Sequence, residues 1–505
     1  MKPTFPTPEP VTVWNHFFDL VATPRPSKNE GAAVDFVEAW ANKLRYRACR
    51  DKANNIVVHV PATTAFHAPP IILQSHVDIV SVTKQGNPAG ADASAGKIPL
   101  ARGDYDPANE KQLIPNEKGD WINAPYTTLG ADNGMGVAMM MAAAEQSNRP
   151  VSMELLFTTD EEQGMTGAIG MEPEKLGLSG KYLINIDTED DDEITIGAAG
   201  GRDVDLTYPG EWSPCDNLAF VAIHLDGLKG GHSGVEINQG RANANRLLAR
   251  ILQKLADNTE LRLVEWSGGS RRNAIPDKST ATIAVPSSDL PKLRQLAQEF
   301  THELDRLYSN RDNPLLLELA ETKAAERRAL TLASSATFIQ ILQAIPTGIC
   351  EMTPEIPGLV EASCNMAIIE LAPGQTGNVT CSVRGTTPEA LNDVTASILA
   401  IAKLTQSSVK VADGYPGWKP RLDSPLLQAA IATYKSLFKD SPKVHAIHAG
   451  LECGLLIERM PGLHAISIGP TIKGNHAVGE RVSISSVAKS YEYLIQLLNE
   501  LSKLA

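Results

Sequence analysis

Through its first 200 residues the chain alternates short apolar blocks with polar or helix-forming ones. NNIVVHV (54–60), PIILQSHVDIV (70–80), SMELLFTTDEE (152–162) and KYLINIDTED (181–190) are apolar runs of strand length, the last two closing on acidic residues and the second carrying His76 and Asp78 near its end. Between them GVAMMMAAAEQ (136–146) reads as a buried helix. Strands alternating with helices predict an α/β unit with a doubly wound, mostly parallel sheet, in which chemistry gathers where the strands end. Residues 85–120, rich in Gly, Ala, Asn and Asp, are expected to form a solvated excursion closing in a hairpin-like LIPNEKGDWINA (113–124).

The texture changes near Arg202. FVAIHLDGL (220–228), STATIAVP (279–286) and GNVTCSVRGTTP (377–388) read as isolated strands beside long helices such as PKLRQLAQEFTHELDRLY (291–308). That pattern predicts an α+β unit. The first texture resumes near Asp413 and runs through LHAISIGP (463–470) to a last helix, SSVAKSYEYLIQLLNELSKL (485–504). The expected organisation is a catalytic domain in two parts, 1–200 and 413–505, interrupted by an inserted α+β lid domain of 201–412.

Composition narrows the class. At 505 residues with 43% hydrophobic and 21% charged positions, the chain is long enough for a large core and ordinary for a folded globular protein. With 46 basic and 59 acidic residues its net charge is −13, and no basic run occurs, which argues against nucleic-acid and anionic-membrane partners. The longest unbroken apolar run, Val137–Ala144, is 8 residues, far short of the ~20 that cross a bilayer. MKPTFPTPEPVTVW has no apolar core of a secretory signal. The six cysteines, Cys49, Cys215, Cys350, Cys364, Cys381 and Cys453, form no C-x-x-C pair. A reducing cytoplasm is the expected compartment.

Metal-type ligands recur at the ends of the predicted strands. His76 and Asp78 sit two apart in SHVD, Asp132 follows in LGADNG, Glu161 and Glu162 close TTDEEQG, Asp187 closes its strand in NIDTED, and His476 ends GPTIKGNH. Each has an ordinary explanation alone: a capped core histidine, a solvated turn, an Asp-Asn-Gly turn. Their recurrence at successive strand ends does not. Two imidazoles with several carboxylates suit Zn, Mn or Co better than Ca or Mg, and the set suggests a two-metal hydrolytic centre. Rival motifs fail: His302-Glu303 is followed by Arg306 where a zincin helix needs histidine, and no phosphate loop, dinucleotide fingerprint or G-x-S-x-G elbow occurs.

Together with GLKGGHSG (227–234), GRANANRLL (240–248), RRNAIP (271–276) and HAGLECG (448–454), these motifs resemble the aminoacylhistidine dipeptidases, within the di-zinc clan that includes carnosinases, over nearly the whole chain. The resemblance implies hydrolysis of dipeptides with a free N-terminus, Xaa-His among them, by two zinc ions per subunit, with manganese or cobalt as alternatives, in a homodimer. It places His76 and Asp187 on one metal, Glu162 and His476 on the other, and Asp132 between them. Glu161 becomes the general base, and Asp78 the carboxylate that orients His76. A cis peptide is implied at Asp132-Asn133. In the inserted domain His232, on a glycine-rich mount that could equally be a turn, would stabilise the oxyanion. Arg384 would clamp the substrate carboxylate, Glu452 would pair with its amine, and Asn273, in what reads first as a turn, would line the site. Lid closure would bring His232 and Arg384 to the metals.

One stretch departs from the family pattern. The family's last histidine usually opens H-S-P-D-E, whereas this chain reads His476-Ala477-Val478-Gly479-Glu480. The ligand is kept while its loop differs, which bears on side-chain preference. Two other functions are compatible with the motifs: an N-acyl-amino-acid amidohydrolase with the same metals, and a non-catalytic metal- or peptide-binding protein. An acidic partner for a free amine separates the first from a dipeptidase, and catalytic turnover separates the second.

Overall fold

A computed structural model describes residues 3, 5–64, 68–88, 90–103, 119–323, 326–354, 356 and 358–503. Two compact units result. The first comprises Met1–Gly197, Pro420–Ala446 and Leu451–Ala505, the second Ala198–Lys419 and Ile447–Gly450.

The first unit is built on an eight-stranded sheet in the order Arg47–Arg50, Ile56–Val60, Met153–Thr158, Ile71–His76, Tyr182–Asn185, His464–Ser467, Glu193–Ala198 and Lys443–Ile447. Its centre is parallel: the four strands from Met153–Thr158 to His464–Ser467 pair in three parallel ladders. The margins are antiparallel, with Ile56–Val60 against both Arg47–Arg50 and Met153–Thr158, and Glu193–Ala198 against His464–Ser467. Every residue of Ile71–His76 and Met153–Thr158 is buried, as expected where helices cover both faces of a sheet. Parallel pairing also brings the carboxyl ends of all four central strands to one edge.

The helix Ala131–Ala144 follows the expected composition, and nearly all of it is buried. It packs against Val11–Val21 and the central strand Ile71–His76. Gly136 is needed there. A Cβ at that position would lie 2.1 Å from Asn133 Oδ1, 2.4 Å from Ser75 Oγ and 2.5 Å from the Ile186 carbonyl.

The excursion after Gln85 is only partly a loop. Ala101–Arg102 pairs with Trp121–Asn123, which pairs in turn with Arg481–Ser483, and that strand with Ile472–Lys473. Leu113–Lys118 of the expected hairpin lies outside the described residues.

The second unit is α+β, but its strands are not isolated. They join in an antiparallel nine-stranded sheet ordered Leu316–Thr322, Ala219–Asp226, Ser279–Val285, Arg262–Gly268, Val360–Leu371, Gly377–Gly385, Gly200–Tyr208 and Ser408–Val411, with Gly348–Met352 beside Val360–Leu371. Ala219–Asp226 alternates buried and more exposed positions, the signature of a sheet with one face on the core. Helices Ala244–Ala256, Leu290–Tyr308, Leu332–Ala344 and Pro388–Leu404 contribute Leu248, Leu252, Leu304, Phe338, Leu391 and Ile398 to that core.

Gly136→Ala is expected to destabilise the protein by roughly 1–3 kcal/mol through overpacking. Gly31→Ala, on an open helix start with nothing within 4 Å of the new methyl, is expected to be neutral or stabilising by about 0.4–1 kcal/mol. Denaturant unfolding of both variants checks the pair, and equal midpoints would remove the packing argument.

Candidate metal centre

The edge formed by the central strands collects the predicted ligands of the first unit. His76 ends its strand fully buried. Its Nε2 lies 3.2 Å from Asp132 Oδ1 and 3.5 Å from Asp187 Oδ1. Its Nδ1 lies 3.2 Å from the Asp78 carbonyl and 3.4 Å from Asp78 Oδ1. Burial opposes the charged ring, but Asp187, Asp132 and Asp78 raise His76 well above its usual range; Asp78 holds the Nδ1 proton, so Nε2 is the nitrogen that would give up its proton to take a metal.

Across the edge His476 Nε2 stands 3.1 Å from Asp132 Oδ2 and 2.8 Å from Glu162 Oε2. Asp132 therefore turns one oxygen to each histidine. The side chains fall into overlapping sets whose donor atoms lie within 4.8 Å of one another: His76, Asp132 and Asp187; His76, Glu161 and Glu162; Asp132, Glu162 and His476.

Backbone geometry brings these groups to the edge. The Asp132-Asn133 peptide is cis. Asp78 accepts from the Glu161 and Glu162 N–H groups at 3.0 and 3.2 Å and from Ser27 Oγ at 2.8 Å, so it fixes the turn that presents both glutamates as well as facing His76. Arg25, 1% exposed, donates to the carbonyls of Val77 at 3.0 Å and Gly130 at 2.6 Å. Burial lowers its guanidinium to about 10, against the opposing pull of Glu480, Asp78, Asp132 and Glu162.

Electrostatics match a site that holds cations. Burial, then the carboxylates of Asp187, Glu162 and Glu452, raise Glu161 well above the usual carboxylate range, with His76 opposing. Burial also raises Glu162 and Asp187, and lifts Glu189 to about 8 with help from Asp132 and Asp187. Hydrogen bonds to Asp132 and Glu162 carry His476 up to about 11. Among the described residues Glu162 Oε1 is buried with no hydrogen-bond partner. A buried carboxylate oxygen without a donor, in a set of imidazoles and carboxylates, fits a divalent cation.

Glu452 opens the helix Glu452–Arg459 and is 1% exposed. Its Oε2 accepts from Gln74 Nε2 and Thr158 Oγ1, both at 2.7 Å, while Oε1 has no partner among the described residues. Burial raises this carboxyl to about 7.

Three predicted residues belong to the second unit. His232 lies in Gly231–His232, paired with Ala274–Ile275. Its Nδ1 accepts the Gly234 and Val235 N–H groups at 3.1 and 3.2 Å, which places the ring proton on Nε2 and leaves that N–H as a donor. Burial and then Arg384 lower its pKa, so the ring stays neutral. Arg384 is 7% exposed and donates to Tyr415 Oη at 3.0 Å. Asn273 is exposed in the turn before Ala274, and its carbonyl accepts the Ser233 N–H at 2.8 Å. A separate cleft of about 940 Å³, lined by His224, Arg294, His302 and Glu318 among others, contains none of the predicted site residues.

Comparison with known proteins shows the family. The chain is 34% identical over 496 residues to the cytosol non-specific dipeptidase of Escherichia coli strain K12, covering 97% of this chain and 98% of that one. The chain belongs to the aminoacylhistidine dipeptidase family. The crystal structure of aminoacylhistidine dipeptidase from Vibrio alginolyticus superposes with a TM-score of 0.86 at 32% identity, covering 98% of this chain and 97% of that chain. Aminopeptidase PepT from Bacillus cereus shares the fold, with a TM-score of 0.54 at 14% identity over 98% of this chain and 100% of that one. Residues 55–197 match peptidase family M28, and residues 223–312 match the peptidase dimerisation domain.

As a member of the aminoacylhistidine dipeptidase family the chain is a metallopeptidase. Sequence reasoning did not find Arg25, whose lone position in TPRPSK carries no periodic signal, nor the contacts of Glu480, whose only signal was its place at the end of HAVGE. It also left His448 of HAGLECG unused. That imidazole is buried with Nε2 at 2.7 Å from Ser363 Oγ, and burial, then Arg384, lower it from 6.5 to about 3.

His448 makes acid stability predictable. The unfolded chain protonates it near pH 6.5, the folded chain only near pH 3. Between those values the unfolded state binds the extra proton, so stability is lost as the pH drops, by up to about 1.4 kcal/mol per unit. His448→Gln is expected to flatten that fall between pH 6.5 and about 4 in denaturant titrations. Identical slopes for both proteins would contradict it.

Proposed function

We propose that the chain is a cytoplasmic dipeptidase that hydrolyses short peptides with a free N-terminus, Xaa-His dipeptides among them, using two zinc ions per subunit of a homodimer. The first unit serves as the catalytic domain and the inserted unit as its lid. The observation that carries the proposal is the placement of Asp132, whose two carboxylate oxygens face different histidines, 3.2 and 3.1 Å away. His76 and Asp187 would hold one ion, Glu162 and His476 the other, and Asp132 both.

When bound, two such cations supply the Lewis acidity that makes a water acidic and polarises the scissile carbonyl. Glu161 takes the proton of the attacking water and later returns it to the leaving amine. Asp78 holds Glu161 in place through the backbone of the turn and keeps the His76 proton on Nδ1. Asp132 sets the distance between the two ligand groups.

The peptide's ends provide the ruler. Glu452 Oε1, buried without a partner among the described residues, supplies a carboxylate for a free ammonium, a role with no counterpart in an acyl-amino-acid hydrolase. By the family resemblance His232 donates its Nε2 proton to the developing oxyanion, and Arg384 clamps the C-terminal carboxylate. The peptidase dimerisation segment at 223–312 supports the homodimer.

Glu161→Gln is expected to lower kcat by about 10²–10⁴-fold on a free dipeptide while elemental analysis still finds both metals. Wild-type turnover by that variant would overturn the assignment of the base. Wild-type enzyme stripped by a chelator is expected to lose activity and regain it with zinc, and to cleave a free dipeptide but not its N-acetylated form. Preference for the acetylated substrate would replace the dipeptidase reading with the amidohydrolase one.

A further inference from the structure

We infer that Glu480 is a positioning residue for the metal-bridging carboxylate, holding the backbone from which Asp132 projects and tying it to the loop that carries His476. Glu480 is 2% exposed. Its Oε2 accepts the N–H groups of Leu129 and Gly130 at 2.8 and 2.9 Å. Its Oε1 accepts those of Ala131 and Asp132 at 2.7 and 3.1 Å.

Four consecutive N–H groups thus converge on one carboxylate. They line the turn that leads into Ala131–Ala144, where Asp132 and Asn133 still have non-helical backbone angles, so they lack intrahelical partners and a buried anion facing them satisfies all four. The last of the four belongs to Asp132 itself. From the opposite side of the same turn, Arg25 grips the Gly130 carbonyl at 2.6 Å. The turn is held through its N–H groups by an anion and through a carbonyl by a cation.

The same short segment carries His476. Five residues, 476–480, span from that ring to the anchoring carboxylate. At the near end Asn475 Nδ2 donates to Glu189 Oε1 at 2.7 Å, two residues beyond Asp187. At the far end the Gly479 N–H reaches the Ala124 and Thr127 carbonyls at 3.2 and 3.3 Å. Gly479 has φ of 88°, a conformation that costs glycine little. The strap therefore ties the Asp187 loop, His476 and the Asp132 turn together.

A plain helix cap would need the carboxylate but not this linkage. Groups that orient metal ligands typically contribute 10–100-fold to metal affinity or activity. Glu480→Gln keeps the shape but turns an N–H₂ toward two of the four donors. It is expected to weaken retention of one of the two zinc ions by roughly 10–100-fold in dialysis against a chelator. At saturating zinc, kcat is expected to fall by about tenfold or more while KM changes by less than about threefold.

A variant that only melts earlier, with wild-type zinc affinity and kcat, makes Glu480 a helix cap and overturns the inference. If Glu480→Gln does not fold, Glu480→Asp, which keeps the charge on a shorter stem, is measured the same way. Reduced zinc retention supports the inference, and unchanged retention overturns it. The inference rests on reading Asp132 as the shared ligand, and Asp132→Asn separates the two. If that variant keeps both ions, the shared-ligand reading falls. If it loses an ion and Glu480→Gln loses none, only the role of Glu480 falls.

Discussion

Carboxylates confined at one sheet edge repel one another, and the surrounding structure answers that repulsion. Asp132, Glu162 and Asp187 have side chains 10%, 4% and 9% exposed, and Glu161 joins them within ligand distance of His76. Two unit negative charges about 4 Å apart repel by roughly 4 kcal/mol at an effective dielectric near 20, and burial adds a desolvation cost to each. Two histidines and one buried arginine offset part of this. Divalent cations offset the rest, which is why the same set that is awkward as bare side chains is coherent as a metal centre.

The fold supports that arrangement with backbone dipoles rather than further charges. Asp78 accepts two N–H groups from the Glu161–Glu162 turn, and Glu480 accepts four from 129–132. Each converts a flexible connection into a mount for a ligand. Parallel pairing does the coarse work, delivering His76, the turn after Thr158 and the loop after Asn185 to one edge. The two buried acids then fix the ligands at the ångström scale that chemistry requires. A parallel sheet supplies the edge; anchored turns supply the centre.

How much was legible follows from the same division. His76, Glu161, Glu162 and Asp187 stand directly after apolar runs, so strand periodicity marked them and the structure brings them together. Asp132 and His476 were legible because each follows a glycine-bearing turn in the same serial pattern. Arg25 carried no such mark, since a single arginine between prolines looks like surface until long-range packing buries it. The antiparallel margins of the first sheet and the continuity of the second depend on pairing between segments far apart in sequence. Local pattern cannot report those partners. The net charge of −13 was no guide to the metal, because the few acids at the centre are too few to produce it.

The departure at 476–480 takes a different meaning once contacts are considered. Ala477 is exposed and Val478 partly so, while Gly479 engages through its backbone N–H. The anchoring falls to Asn475 and Glu480, on either side of the altered residues. Substitution at 477 and 478 therefore changes the surface beside His476 and leaves in place the bonds that hold the loop. His476 is itself 49% exposed, so that surface adjoins the open side of the metal centre. A change there alters the shape and polarity of the rim beside His476 and leaves the side-chain geometry to the buried residues beneath it.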